Sequence, residues 1–206
     1  MTQILSARSE KKRQQIVEAA GELFVQQGFA TTSMDEVAQR AGVSKQTVYA
    51  HFGSKDELFT HCIERKCVVS ELLPSALAGE DPRQVLLEFT QRFAEMIRSE
   101  EAIYVYRLCV SQAETHPTLS ERYFEAGPAK VLKVLADYLT SLERAGVLTL
   151  DNPTVAAGQL LLMARGMCHL RLELGLEVRE TDAERHQRVT QMVDFFLRGY
   201  GFQPRR

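Results

Sequence analysis

Residues 35–59 read DEVAQRAGVSKQTVYAHFGSKDELF, and this stretch carries the fold. Two short amphipathic segments lie either side of Gly42. Two helices that cross steeply need a small residue where they meet, and Ala38 supplies it. Four residues on, Gly42 can take the left-handed conformation that a sharp turn requires. Val43 and Val48 are spaced to point back at Val37, and Ser44 stands where a hydroxyl can cap the second helix. That leaves Lys45, Gln46, Thr47 and Tyr49 on the outward face. A short, rigid helix presenting such donors suits the major groove of DNA. Gln and Lys can read base edges there, while Thr, Tyr and backbone N–H groups bind phosphates.

Working outward, apolar residues recur at three- and four-residue spacing and no alternating β-branched run occurs, so the chain reads as all-α. The S/T-x-x-E capping pattern marks helix starts at Ser33–Glu36, Ser54–Glu57, Thr118–Glu121 and Thr181–Glu184. Asp81-Pro82 and Asn152-Pro153 mark two more, since proline at the first helical position loses no hydrogen bond. About nine helices follow, near 11–27, 34–41, 45–51, 54–73, 82–98, 101–115, 118–145 with a kink at Gly127-Pro128, 153–174 and 182–198. The first should bury Ile16, Ala19, Ala20, Leu23 and Phe24. Leu73 to Pro82 is the linker-like stretch of the first half. The expected division is a helix-turn-helix domain at 1–53, joined through the fourth helix to a larger helical domain at 54–206.

The chain has 206 residues, 45% hydrophobic and 25% charged, which permits a real core and argues against disorder. A formal charge of −2 excludes a uniformly basic nucleic-acid binder but not a local one. Residues 1–66 hold nine Lys and Arg against eight Asp and Glu, so the asymmetry is slight. The N-terminal MTQILSARSEKKRQQ lacks a signal-peptide core, and no stretch reaches the roughly 18 apolar residues of a membrane span. A cytoplasmic protein with reduced thiols and no membrane partner is expected. Cys62 and Cys67, five apart on one helix, differ by about 140° and stand about 8 Å apart, beyond disulfide reach. Cys109 and Cys168 read as small hydrophobes rather than redox sensors. His51, His61, His116, His169 and His186 form no metal-binding pattern, and nucleotide loops and nucleophile elbows are absent, so neither metal, cofactor nor enzymatic activity is expected. An all-helical enzyme and a protein-binding adaptor are the alternatives from other classes.

The longer run AGELFVQQGFATTSMDEVAQRAGVSKQTVYAHFGSKDELF resembles the TetR family of transcriptional regulators, from its first helix into its fourth. The resemblance implies a homodimeric repressor on a palindromic operator in double-stranded DNA, released by a small-molecule inducer. Carried over residue by residue, its DNA contacts fall on Thr32, Ser33, Ser44, Lys45, Gln46, Thr47, Tyr49, His51 and Lys55. Ser33 and Lys55 stand at helix starts, where phosphate is already favoured. Arg8, Lys11, Lys12 and Arg13 could reach adjacent backbone. Further on, RLCVSQAETHPTLSERYFEAGP is similar to the AefR-like subgroup, whose members often control efflux or stress genes.

Small residues along 153–174 let a partner helix approach, and 182–198 is amphipathic. In TetR-like proteins these two helices pair with their symmetry mates. The expected interface residues are Ala157, Leu161, Ala164, Val189, Met192, Val193 and Phe196. Candidate linings of a largely apolar effector pocket are Phe89, Phe93, Met96, Tyr104, Arg107, Cys109, Tyr123, Phe124, Met163 and Met167. Arg107 could anchor an anion, pair with a carboxylate such as Glu114, or face solvent.

Overall fold

A computed structural model describes residues 2–66, 72 and 81–203, with side chains from residue 9 onward except Lys66. Its described residues form ten α-helices and no strand. They are α1 (Thr2–Gln27), α2 (Met34–Ala41), α3 (Lys45–Phe52), α4 (Lys55–Lys66), α5 (Pro82–Ile97), α6 (Glu100–Ser111), α7 (Pro117–Ala126), α8 (Pro128–Arg144), α9 (Pro153–Glu173) and α10 (Asp182–Gly199). Of the linker expected at Leu73 to Pro82, residues 73–80 lie outside the described residues, as does Cys67, while Asp81 and Pro82 start α5.

Local chemistry accounts for most boundaries. Ser33 and Thr181 each accept from the backbone N–H three residues on, while Glu36 and Glu184 reach back, closing two capping boxes. Asp81 and Asn152 cap α5 and α9 ahead of their prolines. Thr118 does not start a helix, because Pro117, with its preset φ, already occupies the first helical position. The expected helix over 118–145 is two helices, parted at Gly127. In the other direction, α1 begins at Thr2 rather than near Lys11, since nothing from Thr2 to Lys11 interrupts a helix: no glycine or proline intervenes.

The chain divides into two compact units, and the division does not fall at the expected 53/54 boundary. The first comprises Met1–Cys67 with Tyr104–Ala126, so α4 packs with α1, α3 and α7 instead of opening a second domain. Its core holds Ile16, Ala20, Leu23, Phe24, Val37, Ala38, Val48, Phe52, Leu58 and Phe59. The stripe expected on α1 is buried, including Ala19. Phe24, Phe29 and Phe59 form a mutual ring cluster with centroids 5.3–5.7 Å apart. Full burial of one such ring is worth about 1.5–3 kcal/mol.

The second unit comprises Val68–Ile103 with Gly127–Arg206. Here α8 and α5 pack on α9, and α10 packs on α5 and α9, around Val85, Leu86, Phe89, Leu135, Leu139, Leu160, Val189 and Phe196. Arg83 bonds Asp194 through Nε at 2.6 Å and Nη2 at 3.0 Å, pinning the start of α5 to α10. That guanidinium holds the Asp194 carboxyl below its usual range.

α9 is not one regular helix. Gly166 sits at φ 56°, ψ −176°, a conformation essentially reserved for glycine, and kinks the helix there. Arg188 Nη1 reaches the Ala164 carbonyl at 3.5 Å, while its Nε holds Glu180 at 2.7 Å. Glu180 also takes Arg98 Nη1 at 2.5 Å, so one nearly buried carboxylate gathers two arginines from the end of α5 and from α10. The hydrogen bond from Arg188 lowers the Glu180 pKa. Beyond the break, Glu173 pairs with Arg165 and with His169 Nε2.

Candidate DNA-binding interface

The turn between α2 and α3 has the expected construction. Gly42 is left-handed at φ 66°, ψ 33°, and the Val43 N–H returns to the Ala38 carbonyl at 3.0 Å, closing α2. Val37 and Val48 are fully buried, so α3 is held against α2 by its inner face. Ser44 Oγ accepts from the Thr47 N–H at 3.1 Å and stands 2.8 Å from Thr47 Oγ1, fixing the first turn of α3. The outer face then presents Lys45, Gln46 and Tyr49 to solvent, with Thr47 and His51 half-buried beside them.

Lys45 is not idle. Its ammonium lies 2.8 Å from Asp35 Oδ1 on α2, and this partner raises the Lys45 pKa. The pair bridges the two helices on the surface that would face phosphate. Asp35, a negative charge inside the expected interface, escaped sequence reasoning. Its signal is the ten-residue spacing from Lys45, which becomes proximity only after the turn forms.

Two expected contacts are corrected. Thr32 is 1% exposed, and its hydroxyl donates to the Gly28 carbonyl at 2.7 Å, so its side chain closes the α1–α2 loop rather than meeting DNA. Lys55 is turned inward: its Nζ donates to the carbonyls of Phe29 at 2.8 Å, Thr32 at 3.0 Å and Ala30 at 3.3 Å. Burial pushes its pKa down. Ser33 remains exposed at the start of α2, engaged with Glu36. Of the basic residues on α1, Lys11 and Lys12 are exposed, whereas Arg13 lies over the Phe52 ring at 5.5 Å and bonds His61 Nδ1 at 3.0 Å. The side chain of Arg8 lies outside the described residues.

The expected sensing and pairing residues are redistributed. Ala157, Ala164, Val189, Val193 and Phe196 are buried in their own unit's core, while Leu161 and Met192 pack against it half-buried. Helix rotation explains the shift: the face left open carries Val155, Leu162 and Leu170 on α9 and Phe195 on α10. Among the pocket candidates, Phe89 and Phe93 are buried in the second unit, with Met96 and Met163 half-buried against its core. Cys109 is buried in the first unit, its thiol pushed up to about 12 by burial, and Tyr123 packs beside that core. Tyr104 is half-buried and Arg107 exposed. Phe124 at 53% and Met167 at 71% exposure line no enclosed cavity. The second unit also has an open cleft of about 460 Å³, lined by Cys168, Arg171, Val178, Arg179, Glu180, Glu184 and Arg188. None of the expected pocket residues lines it. Among the described residues no cluster of His, Cys, Asp or Glu could hold a metal ion, and no helix is long and apolar enough to cross a membrane.

A capped, glycine-turned helix pair with a polar outer face defines a helix-turn-helix DNA-binding regulator. Comparison with known proteins specifies it further. Residues 16–62 match the model of bacterial regulatory proteins of the tetR family, and residues 84–202 match the AefR-like transcriptional repressor C-terminal domain. The chain belongs to the TetR family of transcriptional regulators, with a C-terminal domain of the AefR-like type. It is 27% identical to a TetR-family regulator from Mesorhizobium loti of known structure, with a TM-score of 0.80 over 94% of this chain and 98% of that one. The flavonoid-responsive regulator FrrA is 32% identical, with a TM-score of 0.77 over 96% of this chain and all of that one. The transcriptional activator FasR of Mycolicibacterium smegmatis is 36% identical over 97 residues, 46% of this chain and 44% of its own length. The chain thus matches less than half the length of that curated relative.

Proposed function

We propose that the chain is a cytoplasmic repressor that binds a palindromic operator as a homodimer and is released by a small, largely apolar inducer. The observation that carries this reading is the exposed face of α3, with Lys45, Gln46 and Tyr49 on a helix whose inner side is locked into the core. One recognition helix reads few base pairs, so specific binding calls for a second copy presenting the same helix to a second half-site, a helical turn or a multiple away. The exposed apolar residues Val155, Leu162, Leu170 and Phe195 supply a surface for that second copy.

Release then follows from a population shift. An inducer that prefers a form in which α4 is displaced and the recognition helices leave their half-site spacing lowers operator occupancy in proportion to that preference. The flavonoid response of FrrA favours planar, mostly apolar compounds as first candidates. The AefR-like C-terminal domain favours target genes in efflux or stress response. The matching domain of FasR belongs to an activator, so the sign of regulation needs its own measurement.

The test is a gel shift on the DNA upstream of the chain's own gene, repeated with flavonoids and other apolar aromatics, alongside a transcription assay from that promoter. A salt-sensitive shift, loss of the complex with compound and lower transcription with protein present are expected. Failure to bind that DNA, or higher transcription when bound, would defeat the repressor reading.

A further inference from the structure

The ammonium of Lys55 occupies an unusual position for a residue at a DNA-facing helix start. Three carbonyls, of Phe29, Ala30 and Thr32, converge on its Nζ at 2.8, 3.3 and 3.0 Å, and the Phe29 ring centroid lies 4.5 Å away. An ammonium has three N–H donors and no more. All three are directed at the loop between α1 and α2, and the remaining direction is occupied by the side chain's own stem. No donor is left for a phosphate. A cation at the first residue of a helix is also disfavoured by the helix dipole, so some other interaction must hold it there. The carbonyls and ring do so, helped by the neighbouring carboxylate of Asp56.

What the three carbonyls join is informative. Phe29 to Thr32 lead directly into α2, whose cap is Ser33; Lys55 follows directly on α3, which ends at Phe52. Lys55 therefore ties together the two open ends of the helix-turn-helix, residues 23 to 26 apart in sequence. The turn at Gly42 closes the hairpin at one end and Lys55 closes it at the other.

We infer that Lys55 is a positioning residue for DNA recognition, a clasp that sets α3 relative to α2 through the α1–α2 loop, and that it makes no phosphate contact. This inference rests on the DNA-binding reading above. A phosphate ligand and a clasp respond differently to substitution. Removing a phosphate ligand weakens binding to any duplex and lowers the salt slope of log K by about 0.9. Removing a clasp misplaces the remaining ligands, so affinity falls while the number of counterions released stays the same.

The experiment measures binding of a mixed-sequence B-form duplex by fluorescence anisotropy across a salt series, well below the melting transition. Wild type is compared with Lys55→Met, which keeps the apolar stem, and Lys55→Arg, which keeps the charge. A planar guanidinium cannot aim three donors from one nitrogen, so the clasp requires both variants to bind more weakly, on the order of tenfold, with the wild-type slope. Amide hydrogen exchange of the unbound chain across Gly28–Val37 is expected to quicken in both variants. A slope reduced by about 0.9 in Lys55→Met with full affinity in Lys55→Arg would restore the phosphate contact and overturn the inference. Unchanged affinity in both folded variants would overturn it too. A wild-type chain that bound no duplex would instead defeat the DNA-binding reading, and with it the positioning role.

Discussion

Gly166→Ala isolates the break in α9, because two physical arguments predict opposite signs. In a regular helix, replacing Gly by Ala stabilises the fold by roughly 0.5–1 kcal/mol, through helix propensity and a less flexible unfolded chain. Gly166, however, stands at φ 56°, ψ −176°, which a residue with a Cβ avoids. Forcing such a residue there costs of order 1–3 kcal/mol. The new Cβ would also meet Arg188 Nη1 at 3.4 Å, the near edge of ordinary van der Waals contact. Backbone strain, rather than a clash with Arg188, therefore carries the prediction. Strain less the unfolded-state gain leaves a net loss of about 1–2 kcal/mol, or roughly 3–6 °C in melting midpoint for a chain of this size. Thermal denaturation followed by circular dichroism measures it directly. An unchanged or raised midpoint would refute the reasoning and mean that α9 runs straight through residue 166 in solution.

Three further outcomes follow from the same geometry. Asp35→Asn removes an anion from the face presented to phosphate and frees Lys45, so mixed-sequence duplex should bind about threefold tighter at low salt; equal or weaker binding by anisotropy would show that Asp35 lies away from DNA. Leu162→Glu and Phe195→Glu, both on residues more than 60% exposed, should convert a dimer to monomers in sedimentation while leaving the melting profile of the monomer intact; a persistent dimer would place the interface elsewhere. Burial holds His169 below its ordinary pKa near 6.5, so as pH falls the unfolded chain binds that proton first, and stability present above about 6.5 is lost below it. His169→Gln should flatten the fall in melting midpoint as pH drops below about 6.5 relative to wild type, and an identical pH profile would exclude this histidine as the source.

The recognition half was legible because its determinants are local. The Ser33 capping box, the Ser44 cap, the Gly42 turn and the burial of Ala38 and Val48 each depend on a few neighbouring residues, and all stand at their expected places. Errors arose where chemistry depends on a partner distant in sequence. Lys55 and Thr32 look like phosphate ligands by position, yet carbonyls of the α1–α2 loop claim both. The interface residues expected on α9 and α10 are hard to read from sequence for a related reason. Small and apolar residues occupy both faces of α9, so composition alone cannot tell the side that meets α5, α8 and α10 from the side left open. Gly166 adds a rotation that no periodicity argument contains, because the pattern before it and the pattern after it belong to differently aimed helical segments. Arg98, far in the chain from Glu180 and Arg188, converges with them near that break, and charges so placed are retained only if each is paired on folding. A glycine midway along an apolar helix, followed about twenty residues later by an arginine, is the trace that this arrangement leaves in sequence, and it becomes readable only once α10 is known to pack on α9.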